Sequence, residues 1–443
     1  MILIGNGTLI THDDNCPFLE NGCVAIDGNE VAAIGTTAEM KVSYPQAEFY
    51  DAKNRVIMPG LINAHTHIYS SFARGLSLPL EKPNKEFVDI LENIWWRIDK
   101  VLNLDDCRYS AYATGLESVR CGVTTVFDHH ASQRHVSGSL FAIADAVKEI
   151  GLRASLCYEV SDRDGKDAAR QGIEENVAFI KHAAGDNTDM LKGMFGLHAS
   201  FTLSAETLAA CVDAMGRLNA GFHVHTAEGI GDLHDSLAKY GKRVVERLHD
   251  AGILGDKTLA IHSIHINAAE MELLKKTNTA AVHNPESNMG NEVGCTPALQ
   301  MMERGVLLGL GTDAFTQDMF ESVKVANIIH KHHNCDSNVG FMEAFNMLFK
   351  NNSAICARYF KKPVGIIKKG AYADIIVVDY IPHTPMHVGN LAGHIIFGLM
   401  GRCVDTTIIN GRFVMKDRVM QTTDEEAVLA KSRQQAANFW SRV

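Results

Sequence analysis

Residues 59–67 read PGLINAHTH: a turn at Pro59 and Gly60, an apolar run, then two histidines at His65 and His67. A strand alternates its side chains between two faces, so an i, i+2 pair projects from one of them. A short, continuously apolar run ending in such a pair reads as a barrel strand with chemistry at its carboxyl end. Seven further runs share this form: VTTVFDHH (123–130), RASLCYE (153–159), KGMFGLHA (192–199), AGFHVHTAE (220–228), TLAIHS (258–263), TAAVHN (279–284) and VLLGLGTD (306–313). Helical text such as ETLAACVDAMGRLN (206–219) and EMELLKK (270–276) lies between them. The latter follows Asn267, with Glu270 three residues on, the pattern of a capping box. Eight strands alternating with helices predict an α/β chain whose residues 59–362 form a (β/α)8 TIM barrel.

Outside this span the text changes. MILIGNGTLI (1–10), NGCVAIDG (21–28), EVAAIG (30–35) and NRVIMPG (54–60) read as short strands with Gly, Asn or Asp at the turns. Strand-like text returns after residue 363, in GIIKKGAYADIIVVDY (365–380), VDTTIING (404–411) and RFVMKD (412–417), before a helical end, EEAVLAKSRQQAANFWSRV (425–443). Residues 1–58 and 363–443 are expected to fold together as a small, discontinuous β-sandwich domain beside the barrel.

Composition narrows the function. With 46% hydrophobic and 21% charged residues, the 443-residue chain has ample material for a buried core. The net charge of −10, without a block of like charge, provides no basic face for nucleic acid or anionic lipid. No run reaches the ~18 apolar residues of a membrane span, and the start has no secretory pattern, so a cytoplasmic protein is expected. Ten cysteines without CxxC spacing match neither a disulfide framework nor a thiolate zinc site. Histidine is the outlier, 21 of 443 residues, and points to metal binding or proton transfer.

A single HxH pair carries little weight, since about one is expected by chance at this composition. Another, His330 and His332, reads as a solvated helix face. The order along the chain carries more: His65 and His67 end run one, His225 ends run five with Glu228 three residues on, and Asp313 ends run eight. A barrel gathers its catalytic groups at these ends. Three imidazoles and a carboxylate suit one Zn²⁺, or alternatively Fe²⁺, with a position left open for water. His223 reads as a hydrogen-bonded core residue, and His129, His130 and Glu159 as rim side chains that either hydrogen-bond the substrate at the mouth or have no catalytic consequence. The long connection from Arg74 to Lys100 carries Trp95 and Trp96, placed to stack on a flat heterocycle or to pack a lid helix.

The motifs PGLINAHTH, HVHTAE, AIHSIH, HNPESNM, GTD and GAYADIIVVD together resemble the amidohydrolase superfamily, in its mononuclear aminohydrolase and chlorohydrolase branch, over essentially the whole chain. The resemblance implies that His65, His67, His225 and Asp313 bind the metal, that Glu228 shuttles protons, and that His262 contacts the reacting centre. It further implies substrate-facing roles for His198, His283 and Asn288, and a homodimer. Binuclear members use a carboxylated lysine on strand four; run four ends instead in Leu197 and His198, with Lys192 at its far end, so one metal is expected. The expected activity is hydrolytic deamination of a purine-, pterin- or triazine-like N-heterocycle. Dechlorination or cyclic amide or imidate hydrolysis at the same site is the alternative, and a non-catalytic scaffold fits poorly because every ligand position is filled.

Overall fold

The structure, a computed structural model, describes residues 1–79 and 83–443. The amino-terminal strands are β1 (Ile2–Ile10), β2 (Phe18–Asp27), β3 (Glu30–Thr36), β4 (Glu48–Asp51) and β5 (Val56–Pro59). The runs read from sequence then follow as β6 (Leu61–Thr66), β7 (Val123–His130), β8 (Arg153–Tyr158), β9 (Leu191–Gly193) with β10 (Phe195–Ala199), β11 (Phe222–Thr226), β12 (Leu259–His262), β13 (Ala280–His283) and β14 (Leu308–Leu310). Neighbours pair in parallel as β6-β7-β8-β9 and β10-β11-β12-β13-β14.

Two seams join these sheets into the (β/α)8 barrel. At one, the fourth strand is interrupted at Met194, whose N–H donates to Leu156 O, and Val160 bridges Leu197. At the other, Thr66 bridges Asp313, and Thr312 N–H donates to His65 O at 2.9 Å. The closing contact of the barrel therefore lies beside two of the candidate ligands.

Alternation along the strands divides the core. Ile62, Ala64, Phe127, Cys157, Ile261 and Val282 cluster together, while their chain neighbours Leu61, Val126, Leu156, Ala260 and Ala281 pack in the larger cluster with the helices. His129, His223 and His225 keep step with the first set. His65 stands one residue out of step with Ala64, and the β6–β7 register shifts between Asn63 and Thr66. Such an irregularity re-aims side chains at a barrel rim.

The terminal strands, with β15 (Ile375–Val378), β16 (Val404–Ile409), β17 (Arg412–Lys416) and β18 (Val419–Met420), join into one nine-stranded sheet. Its order is β18-β17-β16-β15-β5-β1-β2-β3, with β4 also paired to β1. The two ends of the chain meet where Ile376 pairs antiparallel with Met58. Ile4, Val24, Ile57, Ile375 and Ile408 share one apolar cluster across that junction. The last helix, Glu425–Trp440, packs on the barrel's first βα unit: Ser432 Oγ donates to Tyr109 O, and Trp440 Nε1 to Phe72 O at 2.7 Å.

The helix Ala268–Lys276 begins with the Asn267–Glu270 capping box expected from sequence. The reading of His330 and His332 needs correction. Both lie in the helix Met319–Asn334, where i and i+2 point about 200° apart; His332 is exposed, but His330 is buried with its ring 5.0 Å from His283. All ten cysteines are free. No helix among the described residues is long and apolar enough to cross a membrane.

Candidate active site

The carboxyl ends of β6, β11, β12 and β14 converge. His65, His262 and Asp313 are buried there together with His67, His225 and Glu228. The backbone turns sharply to achieve this: Ala227, His262, Ser263 and Asp313 all have positive φ, at 47°, 64°, 51° and 56°. Left-handed backbone costs a residue other than glycine free energy, and such strain persists where surrounding structure enforces it.

His67 and His225 face each other Nε2 to Nε2 at 3.3 Å, and His67 Nε2 lies 3.0 Å from Asp313 Oδ1. His65 Nε2, buried and without a hydrogen-bond partner, is 3.6 Å from the same oxygen. Donor atoms sharing one tetrahedral ion at ordinary Zn–N lengths stand about 3.3 Å apart. The tautomers also fit: His67 Nδ1 donates to His129 O at 2.6 Å and His225 Nδ1 to His198 O at 2.9 Å, which leaves both Nε2 lone pairs for a cation. His65 Nδ1 is held by His223 Nε2 at 2.9 Å. These four side chains fit a divalent metal ion.

The electrostatics favour a cation at this point. Burial alone disfavours a charged His67, but Asp313, Glu159 and Asp128 outweigh it and raise its pKa to about 9. Burial would likewise raise Asp313, yet the neighbouring His65 and His67 imidazoles hold its carboxyl well below the usual range. An imidazole that retains a proton beside a carboxylate marks a place for positive charge, which a metal would fill by displacing that proton. Lys192 sits far from this cluster, paired with Asp189.

Glu228 lies next to this cluster, its Oε2 3.4 Å from His262 Nε2, which is in turn 3.8 Å from Asp313 Oδ2. Burial, followed by the charges of Asp313, Asp232 and Glu159, pushes Glu228 well above the ordinary carboxylic range. A carboxyl held protonated at neutral pH can donate, and a nearby divalent cation would draw its pKa back toward neutrality. Ser287 Oγ donates to Asp313 Oδ2, leaving Oδ1 to face the imidazoles.

The cleft above is lined by His67, His225, Glu228 and Asp313 on one side and by Trp95, Trp96 and His198 on the other. Residues 80–82 of the long first connection lie outside the described residues. Its later part, Phe87 to Asp99, is helical with a π turn at Leu91–Trp95. Trp95 lines the cleft and packs against Tyr69 and the cluster that holds Phe439.

His283 and Asn288, expected at the substrate, do not line this cleft. The chain turns through the short helix Pro285–Gly290 after β13, so Asn288 reaches back to His262 Nδ1 at 2.8 Å and His283 bonds Thr296 Oγ1 at 3.0 Å. Both stand one layer deeper. Arg163 and Asp99 were not singled out from sequence, yet both line the cleft, as do Glu159 and Tyr69. Arg163 bonds Asp99 at 2.5 Å and Glu159 at 3.1 Å, and its guanidinium lies over Trp96. Burial raises Asp99 to about 6 despite Arg163. The four-residue spacing of Glu159 and Arg163 was the available signal; Asp99, remote in sequence, offered none.

Comparison with known proteins agrees with this geometry. The chain is 30% identical to a 5-methylthioadenosine/S-adenosylhomocysteine deaminase of Pelotomaculum thermopropionicum, covering 100% of this chain and 99% of that protein. It is also 30% identical to a 5'-deoxyadenosine deaminase of Methanosarcina mazei, with the same coverage. A crystal structure of an adenosine deaminase from Xanthomonas campestris with bound zinc superposes with a TM-score of 0.88 at 22% identity, covering 99% of this chain and 98% of that one, a likeness of fold. The model of the amidohydrolase family matches residues 56–414, and the chain belongs to that family.

Proposed function

We propose that the protein hydrolytically deaminates an amino-substituted N-heterocycle, most closely an adenosine-type nucleoside, using one divalent ion, zinc ahead of iron. The observation that carries this reading is the position of Glu228: a buried, proton-holding carboxyl beside a three-imidazole, one-carboxylate cluster. An amino group leaves poorly unless it is protonated and departs as ammonia, so a proton donor beside the nucleophile favours deamination over displacement of chloride, which requires no proton. The named relatives act on adenosine-type compounds, which supports the purine member of the class.

When bound, the ion would supply a water of lowered pKa, available as hydroxide at neutral pH. His65, His67, His225 and Asp313 would hold it. Asp313 accepts the attacking water's proton, and Glu228 protonates the ring nitrogen next to the carbon under attack. The carbon–oxygen bond forms, the carbon–nitrogen bond breaks as the proton taken by Asp313 passes through Glu228 to the departing amine, and the hydroxyl proton left on the new oxygen returns to Glu228 as the carbonyl forms. His262 steadies the tetrahedral centre. Trp95 and Trp96 flank the ring, and His198 binds its substituent. His283 and Asn288 support these groups from behind.

In this proposal residues 59–362 form the catalytic barrel and residues 1–58 with 363–443 the companion β domain. Ile328, Met342 and Phe397 leave large apolar side chains exposed on neighbouring helices, which supports a homodimer. The test is release of ammonia from 5'-deoxyadenosine, adenine, pterin and triazine compounds by the metal-loaded protein. Product carrying oxygen in place of the amino group supports deamination; chloride release from a chlorotriazine without ammonia release from any amine favours the alternative.

A further inference from the structure

His262 ends β12 fully buried, with Nε2 toward Glu228 and Asp313 and Nδ1 toward Asn288 Oδ1 at 2.8 Å. Which nitrogen holds the proton decides whether the cleft sees a lone pair or an N–H. Counting donors answers this. Thr296 Oγ1 lies 2.9 Å from His262 O, an acceptor with no proton of its own, so the single hydroxyl hydrogen goes there. Toward its other neighbours Thr296 can only accept. Those neighbours are His283 Nδ1 at 3.0 Å and the Asn288 amide at 3.1 Å.

Asn288 must then turn its NH₂ to Thr296 and its carbonyl oxygen to His262, and His262 must carry its hydrogen on Nδ1. Asn284 Nδ2 stands 3.4 Å from the same Nδ1, a donor where this tautomer calls for an acceptor, and its carbonyl oxygen has no partner. With its amide turned over, it adds a second acceptor for the same N–H, in keeping with this tautomer. His67 and His225 receive their tautomers from backbone carbonyls, which cannot reverse. His262 depends on an amide that can, and Thr296 fixes which way that amide points.

We propose that Thr296, which touches no reacting group, is a positioning residue: through Asn288 it holds His262 in the Nδ1–H form, so that Nε2 presents a lone pair between Glu228 and Asp313. The role in catalysis rests on the deaminase reading above; the tautomer does not. Presented this way, Nε2 accepts a hydrogen bond from protonated Glu228 or from the attacking water. The opposite tautomer would point an N–H at Glu228 and compete for the electron pair that must take up a proton later in the cycle.

The experiment uses zinc-loaded protein labelled with nitrogen-15 in histidine, with His262 assigned by its loss in His262→Asn. Wild type and Thr296→Ser are expected to show His262 protonated on Nδ1 alone. Thr296→Val keeps the shape but removes the acceptor, so an Nε2–H population is expected to appear; Thr296→Ala gives the same result should the valine variant not fold. With 5'-deoxyadenosine, kcat of Thr296→Val is expected to fall about tenfold with KM within about twofold, the scale of one hydrogen bond. Metal content stays at the wild-type level, and Thr296→Ser restores kcat. An unchanged tautomer in both Thr296→Val and Thr296→Ala overturns the proposal, as does a serine variant that behaves like valine. A tautomer that shifts in a protein releasing no ammonia from any amine supports the positioning relation and overturns the deaminase reading instead.

Discussion

His67 and His225 come from strands 158 residues apart in sequence and meet Nε2 to Nε2 at 3.3 Å, each with its other nitrogen donating to a backbone carbonyl. Two buried imidazoles that meet at one point next to a carboxylate are suited to share a cation.

Removing a ligand should remove the ion without unfolding the chain. His67→Ala and Asp313→Ala are expected to purify with little metal and to lose activity on the order of 10³-fold or more, since the activated water is lost. Elemental analysis and far-UV circular dichroism check the two halves of the prediction.

In the proposed mechanism Glu228 acts on the substrate and would lie beside the ion without binding it. Glu228→Gln is therefore expected to retain full metal content and lose 10²- to 10⁴-fold in kcat, the usual range for an acid–base group, about. A variant with wild-type kcat would remove Glu228 from the proton path.

The barrel and the terminal sheet are joined by a buried ion pair. Arg153, at the start of β8, bonds Asp374 at 3.0 and 3.2 Å with both side chains fully buried. Asp374→Ala leaves the guanidinium without its counter-charge and is expected to cost about 3 to 5 kcal/mol. Denaturant unfolding at fixed metal loading measures it.

Glu286 gives a pH signature. Both of its carboxylate oxygens are buried without hydrogen-bond partners, and burial raises its pKa to about 7. The folded state then holds a proton that the unfolded state releases above its ordinary value of 4.5. Stability contributed by this group is present below that value and is lost as pH rises toward 7. Glu286→Gln is expected to stabilise the protein at pH 8 by about 2 kcal/mol and to have little effect at pH 4. Thermal unfolding at the two pH values checks it; equal effects at both would contradict it.

The eight barrel strands were legible because each is buried on both faces, so its sequence is apolar throughout and stops abruptly at polar residues. The break of the fourth strand at Met194 was not, since nothing in KGMFGLHA marks it. Strand β4 and the helix Thr37–Ser43 also escaped notice, the strand being only four residues long. Among site residues, His65, His67, His225, Glu228 and Asp313 could be named from their places at run ends. Asn288 could not be placed, because a sequence shows that a polar residue follows a strand but not whether it faces the cleft or the side chain lining it. The Arg163–Asp99 pair joins two connections 64 residues apart, beyond any local pattern.

The most direct test is ammonia release from 5'-deoxyadenosine by the zinc-loaded protein, compared with the same protein after chelation and after zinc is restored. The account predicts ammonia and the oxygen-bearing nucleoside in equal amounts, lost on chelation and regained with zinc. Full zinc occupancy with no ammonia from this nucleoside or from any amino-purine, pterin or triazine would contradict it.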